Sequence, residues 1–277
     1  MTFNVTLIEP DGYVHAQALA DAADYLVAML EACGQPARRS RNHIELDGHN
    51  VVLCSHLLGP AHLAQLPART ILFNSEQLGD DGGWHLASGT YARALARFRV
   101  WDYAHGNLVR IPHDRVSVIP FLYCAALVRP TIRERGEALL FYGSLTDRRR
   151  RILDALRERG LPVEAVFGEY GNELDRRMFR ARAVLNLHKS DDATVFEPVR
   201  CFYPLINRIP VISEHVDGEP AADAFRDAVA FCAPDALVDD IVRWWSAADE
   251  LANRTEQFQT TSAHDSIARA VAECLAD

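Results

Sequence analysis

The stretch Val184-Leu185-Asn186-Leu187-His188-Lys189, followed by Ser190 to Thr194 and then Val195-Phe196-Glu197-Pro198-Val199-Arg200, decides how the rest of the chain is read. An apolar run of strand character ends on polar side chains. A short polar loop follows, and a new helix opens with a carboxylate and, three residues on, a guanidinium. In open α/β sheets, ligands bind where strands end and helix N-termini begin. One strand–loop–helix unit therefore carries Asn186, His188, Lys189, Glu197 and Arg200. Lys189 is also the only lysine among 29 Lys and Arg residues. A compact ammonium and a planar guanidinium are not interchangeable, so this one departure from arginine singles the position out.

The same alternation extends in both directions. Ahead of the stretch, 138–142 reads as a strand and Gly143-Ser144-Leu145-Thr146 as a turn. A helix follows over 147–159, with Ile152, Leu153 and Leu156 on one face and Gly160 as its stop. A strand over 163–167, the loop Gly168-Glu169-Tyr170-Gly171 and a helix over 172–180 lead into the Val184 strand. Behind it come a helix over 196–206, a strand over 209–213 and two long amphipathic helices over 236–251 and 262–275. In the first half, strands read over 4–8, 51–54, 70–73, 99–101 and 116–120, with helices over 15–33 and 91–98 and a loop at Asp80-Asp81-Gly82-Gly83. Short apolar strands alternating with helices indicate parallel sheets covered on both faces. The polar segment from Arg129-Pro130-Thr131 to Gly136-Glu137 separates two such series. It sets two domains, 1–130 and 131–277, with the last helix free to pack back on the first.

Composition narrows the function. Apolar residues make up 49% and charged residues 24% of the 277, as in globular proteins. A net charge of −9 lacks the basic face that nucleic acid demands. Six scattered cysteines without Cys-x-x-Cys read as buried thiols in a reducing compartment. No charged n-region and apolar h-region opens the chain, and no apolar run is long enough to span a bilayer, so a cytoplasmic location is expected. The acidic pairs Asp80-Asp81, Asp191-Asp192 and Asp239-Asp240 are adjacent, and the histidines lack ligand spacing, so no metal site is expected. No Gly-x-Gly-x-x-Gly follows either first strand, which disfavours NAD and methyl-transfer chemistry.

An ordered set of motifs resembles the GT-B glycosyltransferases, in particular small bacterial family 1/4-like proteins. In the second half these are Phe141-Tyr142-Gly143-Ser144-Leu145 with the arginine helix, Phe167-Gly168-Glu169-Tyr170-Gly171, Asn186-Leu187-His188-Lys189, Phe196-Glu197-x-x-Arg200, and Arg208-Ile209-Pro210-Val211-Ile212-Ser213-Glu214. In the first half, Phe73-Asn74-Ser75-Glu76-Gln77 and Val100-Trp101-Asp102-Tyr103 resemble the acceptor domain of the same group. The resemblance implies a GT-B fold, two Rossmann-like parallel-sheet domains facing each other across a cleft. The first would bind the acceptor and the second a nucleotide-sugar donor. It implies sugar transfer from that donor, UDP- or GDP-linked, to a glycan or small-molecule acceptor, as in polysaccharide or secondary-metabolite synthesis. No metal or other cofactor is implied. Peripheral membrane contact follows only if the acceptor is lipid-linked, and nothing points to an oligomeric state. One departure stands out. The Glu-x7-Glu motif of many retaining members is absent, because Lys189 and Leu205 lie eight residues either side of Glu197. Retention and inversion both stay open. So do a sugar-nucleotide 2-epimerase and a binding protein without turnover.

Within that frame the candidate residues have defined tasks. A leaving diphosphate needs positive charge and helix N-termini as its own charge develops. Gly143 and Ser144 with Arg148 or Arg149 in the next helical turn form one candidate phosphate site. Basic side chains there oppose the helix dipole unless an anion is present. Lys189, beside His188, is the second candidate. Glu197 either complements the dipole of its helix or accepts hydrogen bonds from ribose hydroxyls. Arg200, one turn on, either pairs with Glu197 or reaches the diphosphate. Phe167, Gly168 and Tyr170 end a strand near the expected base site, where Tyr170 can stack. Proton removal from an acceptor hydroxyl needs a base, and His15, Glu76, Asp102 and His105 are the candidates in the first half.

Overall fold

The computed structural model describes residues 2–78, 89–130, 136–191 and 195–276. The loop at 80–83, residues 131–135 of the linker, and Asp192 to Thr194 fall outside them. Two compact units emerge: residues 1–126 with 262–277, and residues 127–261. Each is built on its own parallel sheet.

The first unit carries six parallel strands in the order β2-β1-β3-β4-β5-β6. These are β1 (Phe3–Leu7), β2 (Ala37–Arg41), β3 (His49–Leu53), β4 (Thr70–Asn74), β5 (Arg99–Asp102) and β6 (Val116–Val118). β1, β3 and β4 are buried along their whole length, including the polar positions Asn4 and Thr6 that alternate with Phe3, Val5 and Leu7 in β1. Polar side chains inside β1 donate and accept across the sheet: Asn4 lies opposite Asn50 and its Nδ2 donates to Asn50 Oδ1 at 2.9 Å, while Thr6 Oγ1 accepts the His43 N–H at 3.3 Å. Helix α1 (Ala20–Ala32) covers the sheet through Tyr25, Leu26 and Leu30. The Tyr25 hydroxyl donates to the Pro120 carbonyl at 2.9 Å and accepts from the Leu122 N–H at 3.0 Å, fastening the segment after β6. The C-terminal helix (His264–Ala276) belongs to this unit. It packs on α1, and its Glu273 accepts from Ser117 at 2.8 Å.

The second unit has five parallel strands in the order β11-β10-β9-β7-β8. They are β7 (Leu139–Tyr142), β8 (Val163–Val166), β9 (Ala183–Asn186), β10 (Val211–Glu214) and β11 (Ala230–Cys232). The Val184 strand of the sequence reading is β9, the centre of this sheet. Leu185 on β9 packs with Phe141, Leu153, Ile212 and Trp244 in one buried cluster.

The differences from the sequence reading have local causes. β2 is Ala-Arg-Arg-Ser-Arg, an edge strand with no apolar signal; charged residues suit an edge that must not pair further. β11 is only three residues long. The helix expected over 236–251 divides into Leu237–Ser246 and Ala248–Phe258, because Ala247 leaves helical geometry at φ −96°, ψ 51°. There Ser246 Oγ donates back to the Val242 carbonyl at 3.0 Å, a bond that bends helices. The first helix starts as a 3-10 segment over Val14–Leu19. No helix among the described residues is long and apolar enough to cross a membrane.

Leu185 lies in the middle of the second sheet's core, so truncation leaves a cavity that its neighbours cannot close. Leu185→Ala is expected to cost roughly 2–5 kcal/mol in urea unfolding followed by the tryptophans of this unit. A cost under about 1 kcal/mol would contradict its place at the centre of the sheet.

Candidate functional site

A doubly wound sheet reverses direction where consecutive strands move to opposite sides of an earlier one, and crevices open at the carboxyl ends of those strands. In the second unit the reversal falls between β7 and β9, and in the first between β1 and β3. Chemistry-bearing residues gather at both points.

In the second unit, β7 ends on Gly143 at φ +137°. A Cβ there would stand 2.8 Å from Arg200 Nη1, so only glycine admits the close approach of that guanidinium. Arg200, on α6 (Pro198–Ile206; helices numbered in chain order), donates to the Tyr142 carbonyl at 2.9 Å. The Tyr142 hydroxyl donates back to the Arg200 carbonyl at 2.7 Å. Glu197 sits just before this helix, yet its side chain makes no capping hydrogen bond and lies 3.2 Å from Arg200 Nε. Burial pushes the Glu197 carboxyl up, but Arg200 and Arg149 overcome that and hold it below the usual range.

The helix after β7, α4 (Asp147–Glu158), is capped by Thr146, which also donates to the Lys189 carbonyl at 3.2 Å. Arg149 is 2% exposed. Its guanidinium donates to the carbonyls of Leu187 at 2.6 Å, His188 at 3.2 Å and Ser144 at 3.0 Å. Burial, aided by the nearby Arg200 charge, pushes its pKa down to about 10. Arg148 is gripped by Glu214 through two hydrogen bonds of 2.8 and 2.7 Å and is paired with Asp191. The Glu214 bonds and Asp191 hold its guanidinium above its ordinary value. Glu214, fully buried at the end of β10, also accepts the His188 N–H at 2.8 Å and lies 3.5 Å from His188 Nδ1. Burial pushes the imidazole of His188 down, so it is neutral near pH 7. Lys189 is exposed and makes no ion pair among the described residues.

Gly143, Ser144, Arg148, Arg149, His188, Lys189, Glu197 and Arg200 are thus assembled at one set of strand ends. Arg148 and Arg149, read from the sequence as phosphate candidates, direct their guanidinium groups at protein acceptors instead. A sequence cannot show that a carboxylate from β10 and carbonyls from the β9 loop reach them. Glu214 was quoted in the sequence only as the end of a motif; a carboxylate closing a strand was the signal. Phe167, Gly168 and Tyr170 follow β8, the edge strand beside β7. Phe167 is 56% exposed there.

In the first unit the strand-end loops are fixed by a buried carboxylate. Asp102, at the end of β5, is fully buried. It accepts from Asn74 Nδ2 at 2.7 Å, Asn107 Nδ2 at 2.9 Å and the Ala104 N–H at 2.9 Å. Burial pushes its carboxyl up to about 6 against those hydrogen bonds. Asn74 and Asn107 both donate to the Glu76 carbonyl, at 2.9 and 3.0 Å, and Asn74 Oδ1 takes the Glu76 N–H at 3.2 Å. Tyr91 donates to the same oxygen at 3.0 Å. Asp102 therefore positions, and Glu76 is what it positions. Glu76 Oε1 reaches to 3.4 Å from Nδ1 of His56, which follows β3. Burial pushes the His56 imidazole down to about 4. Tyr13 lies beside the same group: burial raises its hydroxyl, as do Cys54 and Glu76. His15 meets Tyr13 edge-on at 5.3 Å. His105 is exposed in the 3-10 helix after β5. His56 was missed in the sequence, although the strand-end rule that selected Glu76 and Asp102 applies equally to Cys54-Ser55-His56.

Among the described residues no group of three His, Cys, Asp or Glu side chains is placed to hold a metal ion.

Similar solved structures define the class of fold. AviGT4, a glycosyltransferase involved in avilamycin A biosynthesis, aligns over 99% of this chain and 97% of its own, with a TM-score of 0.60 at 14% identity. HepE of Anabaena in complex with UDP-glucose aligns over 100% and 99%, with a TM-score of 0.60 at 13% identity. WaaG, a glycosyltransferase involved in lipopolysaccharide biosynthesis, aligns over 99% of both chains, with a TM-score of 0.56 at 12% identity. The chain has the GT-B fold. No family model matches it. Among curated proteins it is similar to the uncharacterised protein L140 of Acanthamoeba polyphaga mimivirus, 26% identical over 212 residues, 74% of this chain and 68% of that protein. A longer protein of the same virus is 34% identical over 112 residues, 40% of this chain, but the chain spans only 13% of its length.

Replacing Asp102 by Asn leaves one acceptor oxygen where two now serve buried donors, at roughly 1–3 kcal/mol for each donor left facing a donor. Asp102→Asn is expected to lower the melting temperature by several degrees. An unchanged melt would contradict the hydrogen-bond assignment.

Proposed function

We propose that the protein is a glycosyltransferase that moves a sugar from a nucleotide donor, UDP- or GDP-linked, to a hydroxyl of a glycan or small-molecule acceptor in the cytoplasm, without a metal ion. The observation that carries the reading is the cluster at the switch point of the second unit. There the ends of β9 and β10 and the starts of α4 and α6 hold four cations (Arg148, Arg149, Lys189, Arg200) against three carboxylates (Asp191, Glu197, Glu214). The balance is positive and the framework is prebuilt, which suits a diphosphate whose charge grows as the glycosidic bond breaks. The similar fold of HepE, which holds UDP-glucose in its own structure, supports the class of donor.

Each residue has a role in this reading. Arg149 and Arg200 supply fixed positive potential, because both are held on backbone carbonyls. Lys189 is the mobile charge that meets the diphosphate. The Gly143–Ser144 turn lets the phosphates approach the backbone and the N-terminal turn of α4. Glu197, held ionised by Arg200, accepts hydrogen bonds from ribose hydroxyls. Glu214 and Asp191 absorb the charge of Arg148, and Arg148 braces the loop after β9 by donating to the His188 carbonyl at 3.3 Å.

Thermal shift against UDP, GDP, ADP, TDP and CMP tests the reading. At a ligand concentration about 100-fold above Kd, binding to the folded state alone adds about 2.7 kcal/mol, so at least one of UDP and GDP is expected to raise the melting temperature by several degrees. No shift with any of the five would overturn it. Lys189→Ala is expected to leave the unliganded melt unchanged, since an exposed lysine contributes within about ±0.5 kcal/mol. It should weaken the nucleotide at least about tenfold, or 1.4 kcal/mol. A variant that binds as tightly as the parent would remove Lys189 from the site.

A further inference from the structure

We infer that the cavity beside the ends of β10 and β11 receives the sugar of the donor, and that its acidic wall admits an uncharged hexose and rejects a hexuronate. The inference rests on the glycosyltransferase reading and adds the class of sugar that the donor carries.

The cavity has a volume of about 340 Å³ and lies wholly within the second unit. That is the size of a small-ligand pocket, and its lining joins an aromatic wall to a few convergent polar groups, as such pockets do. His215 and Val216 after β10, Glu219 and Asp223 around the short helix Pro220–Asp223, Arg226, and Phe231 on β11 form the wall. The wall is fixed by hydrogen bonds outside the cavity. The His215 N–H donates to the Cys232 carbonyl at 2.9 Å and ties the loop after β10 to β11. Glu219 is 5% exposed and accepts the Ala221 N–H at 3.1 Å. Arg254 donates to the carbonyls of Arg226 at 2.6 Å and Val229 at 2.9 Å, which holds the segment leading into β11. A site prebuilt in this way spends little binding energy on ordering itself.

Two links set the cavity beside the diphosphate cluster. His215 directly follows Glu214, which grips Arg148 and accepts the His188 N–H. Phe231 meets Phe196, the residue before Glu197, with ring centroids 5.4 Å apart, and meets His215 at 5.6 Å. Phe231 offers an apolar wall for the carbon face of a pyranose, and the polar side chains offer partners for its hydroxyls. Charge decides the class of sugar. Glu219 and Asp223 line the cavity, and Asp217 pairs with His215 at 3.0 Å. Against them stands one guanidinium, Arg226, which is already paired with Asp223. Three carboxylates outnumber Arg226 whether or not the imidazole carries a proton. The same balance keeps a diphosphate at the arginine cluster and out of this cavity. A hexuronate would bring a fourth carboxylate with no cation left to meet it, and like charges in a partly desolvated wall oppose binding. The hydroxymethyl group of a hexose donates its O–H to that wall instead. Discrimination of this kind comes from a repulsive element as much as from an attractive one.

Titration calorimetry tests the inference with UDP, UDP-glucose and UDP-glucuronate, and with GDP, GDP-mannose and GDP-mannuronate. Within each set the two sugars differ only in the oxidation state of carbon 6. With whichever base it accepts, the parent is expected to bind the uncharged donor at least about tenfold more tightly than its uronate. A double variant, Glu219→Gln with Asp223→Asn, removes both lining charges and keeps an amide oxygen to cap the short helix. It should narrow that ratio at least about threefold, the scale of partly exposed charge interactions. Its affinity for the bare nucleotide should stay within about twofold of the parent, as for substitutions outside a site. Uronate binding equal to or tighter than that of the hexose, a ratio that the double variant leaves unchanged, or a loss of bare-nucleotide affinity as large as that of the donor would each overturn the inference while leaving the transferase reading standing. A parent that binds none of the six ligands would overturn the transferase reading, and this inference with it.

Discussion

The second unit depends on one buried cation. Taking the Arg149 guanidinium out of water costs several kcal/mol unless its donors are satisfied, and here they meet the carbonyls of Ser144, Leu187 and His188. Those carbonyls belong to the loops after β7 and β9, the two strands that flank the switch point. One side chain therefore locks together the two loops at the switch point. Arg148, one residue earlier, does the same between the β9 loop and the end of β10 through Glu214. A run of arginines that looks like an anion trap is, for these two positions, a brace. The positive potential remains after the hydrogen bonds are made, and in the proposed function it is what the donor's diphosphate would meet.

The first unit solves the same problem with the opposite charge. Asp102 is as buried as Arg149, and its oxygens are spent on Asn74, Asn107 and backbone N–H groups of the strand-end loops. The amides relay the constraint to Glu76 through its own backbone, so the side chain that faces His56 starts from a fixed point. In both units a buried charge fixes the loops at the strand ends. Such preorganisation is what electrostatic catalysis draws on, because the framework has no reorganisation to undergo when charge develops.

Much of this could be read from residue order. Periodicity locates β9 and the helices that flank it, and the strand-end rule collects Gly143, His188, Lys189, Glu197 and Arg200 from the sequence alone. What escaped has a common physical origin: partners distant in sequence. Nothing near Arg148 announces Glu214, 66 residues away, and nothing near Arg149 announces the Leu187 carbonyl, 38 residues away. Asp102 was legible as a carboxylate at a strand end, but its complete burial, which makes it a positioning group, came only with the fold. β2 was invisible because three of its five residues are arginines and parallel pairing is a backbone property. The edge-to-centre logic of the sheets is likewise absent from the sequence, and with it the fact that His56 follows β3, beside the switch point, while His105 follows β5 farther out.

The central claim is that a nucleoside diphosphate occupies the ends of β7, β9 and β10. Amide chemical-shift mapping of nitrogen-15-labelled protein titrated with UDP and with GDP tests it most directly. The account predicts saturable shifts at Gly143, Ser144, Lys189 and Arg200, with the amides around Asp102 undisturbed by the nucleotide. Saturable shifts confined to other residues, or no shifts at millimolar nucleotide, would contradict it.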